Sequence, residues 1–381
     1  MRIFRRSQRR PDGAPAWLAG IESLRPGRPE DSARRVMRAT YSLSGLVERG
    51  HLSLSTLADF RQATALADLS WRVMWASDEV ASRPGEEQLA ERAANARGVV
   101  VFIHGWDGSG EIWEDLPGMV LAENPDLIAL VPDVNGFGGT PFAEETPEYE
   151  QCSPPAAMQA LERWINLLDL RGPSGTSGPR PFTFVGHSMG GAALFFLEDD
   201  NWGPQEVGRV AAAPALLLKD SLRQSFYKAL GVGIMLSAFS DLLDWIQESF
   251  FAPRIIEAFA GWASDFVKAE HQRIYELTPE AVIARTFAAM GRLEATFDKD
   301  RWRHFRVFLA HRDRLVGLVE TLELLEELNF EPHQLRVCLG DHYFFSVGEV
   351  QPRLHALNRE MLKNEILALH AHLLAQQSPP A

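Results

Sequence analysis

The sequence predicts an α/β class with a helical insertion and a helical N-terminal extension. Three observations carry that expectation. Short apolar runs alternate with longer amphipathic stretches, as in strands joined by crossover helices. The strand-like run Pro181-Phe182-Thr183-Phe184-Val185 leads directly into Gly186-His187-Ser188-Met189-Gly190. Asp313 and His342 then follow two later strand-like runs, at the strand ends where parallel α/β sheets gather reactive groups.

Along the chain, Met1 to Arg10 is basic, and Pro11-Asp12-Gly13-Ala14-Pro15 supplies no apolar stretch for a secretion signal. Residues 1–30 read as a flexible basic arm. Residues 31–96 read as a helical extension: Ser53, Thr56, Leu57 and Phe60, then Leu66, Leu69, Val73 and Met74, recur at helical spacing. Trp71 to Ala76 offers a short strand as the alternative. Residues 97–214 form the first part of the core, with strands expected at Val99 to Ile103, Leu127 to Val131, Pro181 to Val185 and Val207 to Ala213. Ala156 to Leu170 is an amphipathic helix, and Arg171 to Arg180 a Gly/Pro/Ser linker. Residues 215–300 read as a helical cap with two apolar stripes. One runs from Phe239 to Phe251, and the other holds Ile255, Ile256, Phe259, Trp262 and Phe266. Residues 301–381 complete the core, with strands at Phe305 to Ala310 and Leu335 to Leu339 and a C-terminal helix.

The glycines on either side of Ser188 let the chain turn sharply from strand to helix, lifting the hydroxyl clear of its neighbours. A serine hydroxyl is a weak nucleophile at neutral pH, so this elbow requires a base, an orienting acid and oxyanion donors. Asp313 supplies the acid and His342 the base, in the order serine, acid, histidine. Asp220, after another strand candidate, is the competing acid. Among the other histidines, His333 precedes its strand, His355 sits in the C-terminal helix and His311 is too close to Asp313. His187 adjoins Ser188 on a tight turn that points the two side chains apart. The oxyanion donors are the Met189 amide and the Trp106 amide in His104-Gly105-Trp106-Asp107-Gly108, with the Trp106 indole expected to line the acyl pocket.

The loop from Gly105 to Gly110 lacks the lysine of a P-loop and the glycine spacing of a dinucleotide site. His311-Arg312-Asp313 matches the opening of a kinase catalytic loop, but the asparagine that should follow is absent. No zinc spacing occurs, and neither a cofactor nor a metal is expected. With 381 residues, 46% of them hydrophobic, the chain can bury a sizeable core. A formal charge of −13 disfavours nucleic acid and acidic membrane surfaces as partners. No run reaches the roughly 18 apolar residues of a membrane span. Two cysteines, Cys152 and Cys338, make no disulfide framework, so a reducing, cytoplasmic setting is expected.

In these stretches, together with Asp133 and Gly136-Phe137-Gly138-Gly139-Thr140, the chain resembles the α/β-hydrolase superfamily, in its esterase, lipase and cap-bearing branch. The resemblance covers roughly residues 97 to 214 and 301 to 370. It implies an eight-stranded, mostly parallel sheet wrapped by helices, and a serine-dependent hydrolytic centre. Relatives that are dehalogenases or epoxide hydrolases carry aspartate at the elbow, which Ser188 argues against. The expected activity is hydrolysis of a carboxylic ester of a small to medium apolar substrate through an acyl-enzyme. Thioester or carbon–carbon bond hydrolysis, amide cleavage and acyl transfer are alternatives on the same triad. A non-catalytic ligand binder of the same fold is a further one.

Overall fold

The computed structural model describes residues 35–39, 47–48, 51–77, 95–167, 180–197, 202, 207–217, 219–237, 257, 260–293 and 302–377. The expected basic arm, the apolar stripe from Phe239 to Phe251, and Ile255, Ile256 and Phe259 lie outside the described residues.

The first segment departs from expectation. Where residues 31–96 are described they are mainly strand: β1 (Arg35–Ala39), β2 (Val47–Glu48), β3 (His51–Ser53) and β4 (Asp68–Ser77), with one short helix, α1 (Ala58–Thr64). The physical reason lies in β4. A strand covered on one face alternates apolar and polar residues, but β4 is covered on both. Trp71, Val73 and Trp75 are buried on one face, where Trp71 packs on Trp164 with ring centroids 5.1 Å apart. On the other face Met74 is buried as well, and Arg72 is neutralised by Glu111 at 2.5 Å. Leu66, Leu69, Val73 and Met74 thus match a helical spacing by coincidence.

The core follows as β5 (Gly98–Ile103), α2 (Leu116–Glu123), β6 (Leu127–Pro132), α3 (Pro154–Leu167), β7 (Phe182–His187), α4 (Met189–Ala193) and β8 (Val207–Ala212). Among the described residues three helices are inserted next: α5 (Leu222–Ser237), α6 (Asp265–Leu277) and α7 (Glu280–Arg292). The chain ends with β9 (Phe305–Ala310), α8 (Leu318–Glu327), β10 (Leu335–Cys338) and α9 (Pro352–Gln377).

Among the described residues ten strands form the sheet, two more than the resemblance implied, in the order β10-β9-β8-β7-β5-β6-β4-β3-β2, with β1 also paired to β4. From β6 to β10 every pairing is parallel, while β1 to β4 pair antiparallel. The β5, β6, β7 and β8 side chains are buried throughout, as expected of parallel strands with helices on both faces. Each such Val, Ile, Leu or Phe contributes about 1.5–3 kcal/mol by leaving water. The outermost pair, β9 and β10, is clamped by Glu365 of α9, which bridges Arg306 at 2.8 Å and Arg336 at 3.0 Å.

The register aligns the carboxyl ends. Ile103 pairs with Gly186, His187 with Ala212, Ala212 with Phe308 and Ala310 with Cys338. The loops bearing Trp106, Ser188, Asp313 and His342 therefore leave the sheet along one edge.

Candidate active site

Ser188 stands between β7 and α4 with φ 52° and ψ −115°, a conformation that costs an L-residue about 1–3 kcal/mol. Three backbone bonds hold it there. Its amide donates to Ala212 O at 2.9 Å, and its carbonyl accepts from Ala192 N and Ala215 N, each at 2.9 Å. The flanking glycines are sterically required. A Cβ on Gly186 would lie 2.3 Å from Gly190 O, and one on Gly190 would lie 2.5 Å from His104 O.

Asp313 and His342 meet. The His342 Nδ1–H donates to Asp313 Oδ2 at 2.7 Å, which leaves Nε2 as the acceptor. Asp313 Oδ1 accepts from the amides of Leu315 (2.9 Å) and Val316 (3.0 Å), so the carboxylate is aimed by its own loop. Ser188, Asp313 and His342 are 8%, 8% and 2% exposed. The link from this pair to the elbow is His187, whose Nε2–H donates to the His342 carbonyl at 3.0 Å, with ring centroids 4.6 Å apart. Burial holds His187 well below the usual imidazole range, and its Nδ1 has no hydrogen-bond partner. It is a neutral ring packed against His342.

The rival groups are placed elsewhere. Asp220 is exposed, its amide held by Gln224 Oε1 at 2.9 Å. His333 is exposed as well. His311 Nδ1 accepts from Gly340 N at 3.0 Å, and His355 Nδ1 donates to Ser346 O at 2.6 Å.

Gly105 faces the elbow closely enough that a Cβ there would lie 2.9 Å from the Ser188 Cβ. Trp106 follows it, and Met189 opens α4, where amides have no carbonyl one turn back to bond. His104 fixes this loop: Nδ1–H donates to Gly105 O at 2.7 Å, while Nε2 accepts from Val134 N at 2.8 Å. Burial lowers its pKa, which suits a neutral ring with one donor and one acceptor. The Trp106 indole reaches the insertion. Its N–H donates to Ile283 O of α7 at 3.1 Å, and its ring meets Phe287 edge-on at 4.9 Å.

Residues 100–369 match the sequence model described as the alpha/beta hydrolase family. The chain belongs to that family. No curated protein matches the chain by sequence. Among solved structures, the chain of this hydrolase is similar to a thermophilic esterase from Thermogutta terrifontis with malate bound. The identity is 14%, the TM-score 0.52, and the match covers 87% of this chain and 99% of that one. It is also similar to the peroxisomal α/β-hydrolase Lpx1 of Saccharomyces cerevisiae (12% identity, TM-score 0.54, 91% and 90% covered). A bromoperoxidase from Bacillus anthracis gives 17% identity and a TM-score of 0.50, with 79% and 96% covered. At such identities the likeness speaks for the α/β-hydrolase fold.

The hydrolase fold carries a polar cluster beside the site that sequence reasoning missed. Asp107, Glu270, His271 and Tyr343 are all buried, on three separate segments. Burial and the neighbouring Glu270 raise the Asp107 carboxyl well above its usual range. Glu270 pairs with Arg273 and accepts from Ser109 Oγ. No local motif marks this cluster, because its hydrogen-bonded members lie up to 164 positions apart along the chain. Among the described residues, no group of three or more His, Cys, Asp or Glu side chains could hold a metal ion. No helix among them is long and apolar enough to cross a membrane.

Proposed function

We propose that this α/β-hydrolase is a serine hydrolase that cleaves a carboxylic ester of a small to medium apolar substrate through an acyl-enzyme. The observation that carries the reading is the Asp313–His342 hydrogen bond, tied through His187 to the elbow that holds a strained Ser188. The similar Thermogutta terrifontis protein is an esterase, which agrees with it.

In this reading His342 Nε2 takes the Ser188 proton as Oγ attacks the ester carbonyl carbon. Asp313 keeps Nδ1 protonated and stabilises the imidazolium. The amides of Trp106 and Met189 receive the developing oxyanion, a role worth about 3 to 4 kcal/mol per donor. Collapse of the tetrahedral intermediate expels the alkoxide, which His342 protonates. Water then attacks the acyl-enzyme with His342 again as base, releasing the acid and restoring Ser188. The inserted helices, within the cap assigned to residues 215–300, keep water from the ester. No cofactor takes part, and the partner is the small-molecule ester. Buried, unpaired Cys152 and Cys338 accord with a reducing, cytoplasmic setting.

A fluorophosphonate probe should label the wild type, and Ser188→Ala should abolish labelling together with turnover of a short p-nitrophenyl ester. Labelling that persists in the variant would defeat the assignment.

A further inference from the structure

We infer that His271, on the inserted helix α6, is a positioning residue that ties the oxyanion loop to the segment bearing the base. The inference rests on the hydrolase reading above and adds to it a role for the cap.

His271 is fully buried, and its two ring nitrogens reach two different loops. Nδ1 lies 2.5 Å from the backbone carbonyl of Asp107, the residue after Trp106. Nε2 lies 2.5 Å from the hydroxyl of Tyr343, the residue after His342. A carbonyl can only accept, so Nδ1 carries the hydrogen, and in the neutral ring Nε2 then accepts from the tyrosine. That arrangement requires a neutral ring, and burial pushes the His271 pKa down to about 4. The chain of bonds therefore has one direction, from Tyr343 O–H through the imidazole to the Asp107 carbonyl.

Both ends of this bridge need holding. Asp107 has φ 53°, a strained conformation for a residue with a side chain, and neither of its carboxyl oxygens has a hydrogen-bond partner. Its carboxylate makes no hydrogen bond, lying 3.9 Å from His271 Nδ1, so the direct bond from this residue to the cap is the carbonyl's. Tyr343 packs against His187 at 4.5 Å between ring centroids and against His271 at 5.4 Å, so its ring joins the elbow side to the cap side. Helix α6 is itself fastened to the same region. Trp262 N donates to Asp341 Oδ2 at 2.8 Å, Ser264 N donates to Ser346 Oγ at 2.9 Å, and Ser264 Oγ caps the helix at Val267 N. One cap side chain thus sets the neighbour of an oxyanion donor and the neighbour of the base. A misplacement near 1 Å at such groups costs about 100-fold in rate.

The test measures kcat and KM for a short p-nitrophenyl ester, fluorophosphonate labelling and thermal midpoints for the full chain and its variants. His271→Ala should lower kcat by about 100-fold while KM stays within about threefold, since substrate contacts remain. Tyr343→Phe should lower kcat by about fivefold, the effect of one lost hydrogen bond. The double variant should be no slower than His271→Ala alone, because both changes break the same bridge. An unchanged kcat in folded His271→Ala, a loss confined to KM, or additive losses in the double variant would each overturn the inference. If His271→Ala does not fold, Tyr343→Phe, which removes a single oxygen, decides: unaltered kcat overturns the bridge. A wild type that neither labels nor turns over the ester defeats the hydrolase reading and the bridge with it. A wild type that does both, with kcat intact in the variants, defeats the bridge alone.

Discussion

The two ends of the parallel strands are built in different ways. At the carboxyl ends Asp107, Asn135, Ser188 and Ala213 all take positive φ, and His104, Asp107, Asp133, His187, Asp313 and His342 are buried. At the amino ends Asn329, in the turn from α8 toward β10, is the positive-φ non-glycine residue among the described ones, and helix α9 lies tightly on the sheet. A Cβ on Gly98 would fall 2.0 Å from His370 Nε2, and one on Gly208 would fall 2.9 Å from Leu369. His370 also meets Thr183 Oγ1 at 2.9 Å. Positive-φ residues thus gather mainly on one edge with a cluster of buried charged and imidazole groups, while the other combines close helix packing with the buried His370–Thr183 pair. The lesson is that activity and stability are separable in this molecule by which end of a strand is altered.

The strongest separation is expected from Asp313→Asn, which keeps an oxygen for the Leu315 and Val316 amides but turns a donor toward His342. Turnover should fall by about 10⁴-fold with a nearly unchanged thermal midpoint. A fall below tenfold would remove Asp313 from the triad. At the opposite end, Gly98→Ala must displace the His370 ring and should cost about 1 to 3 kcal/mol in denaturant unfolding. Its kcat per folded molecule should match the wild type, and a kcat loss beyond about threefold would blur the division between the two ends.

A smaller effect is expected from pH. Burial pushes the His370 pKa from 6.5 down to about 4. The unfolded chain therefore holds an extra proton across that window, and the unfolding free energy falls as pH falls. The contribution is whole above pH 6.5 and lost as pH drops through about 4. His370→Asn should flatten the stability profile over this range, and a variant profile parallel to the wild type would contradict the assignment. The smallest effect belongs to Trp106→Phe, which breaks the bond to Ile283 O and should cost about 1 kcal/mol. An unchanged unfolding midpoint would show that α7 does not depend on that bond.

The parallel core was legible because its signals are local. Val99 to Ile103 and Phe182 to Val185 are unbroken apolar runs, and the elbow glycines lie within two residues of Ser188. The strand ends before Asp313 and His342 could be read in the same way, and the structure joins those two side chains by a hydrogen bond. The N-terminal strands were hidden because burial of β4 on both faces erased its alternation. The His271 bridge was hidden for another reason: its members come from the loop after β5, the insertion and the last loop, and nothing short in sequence links them. What a chain does within a few residues can be read from its letters, whereas long-range polar pairing emerges only once the topology has closed.

The placement of β10 at the rim has a consequence for how the molecule fails. It has a neighbour on one side only, pairs over four residues, and the turn after it delivers His342. Ser188 instead follows a strand flanked on both sides. Local opening begins where contacts are fewest. Under gentle urea His342 should peel away while Ser188 is still seated, so any ester turnover should be lost before the helical signal.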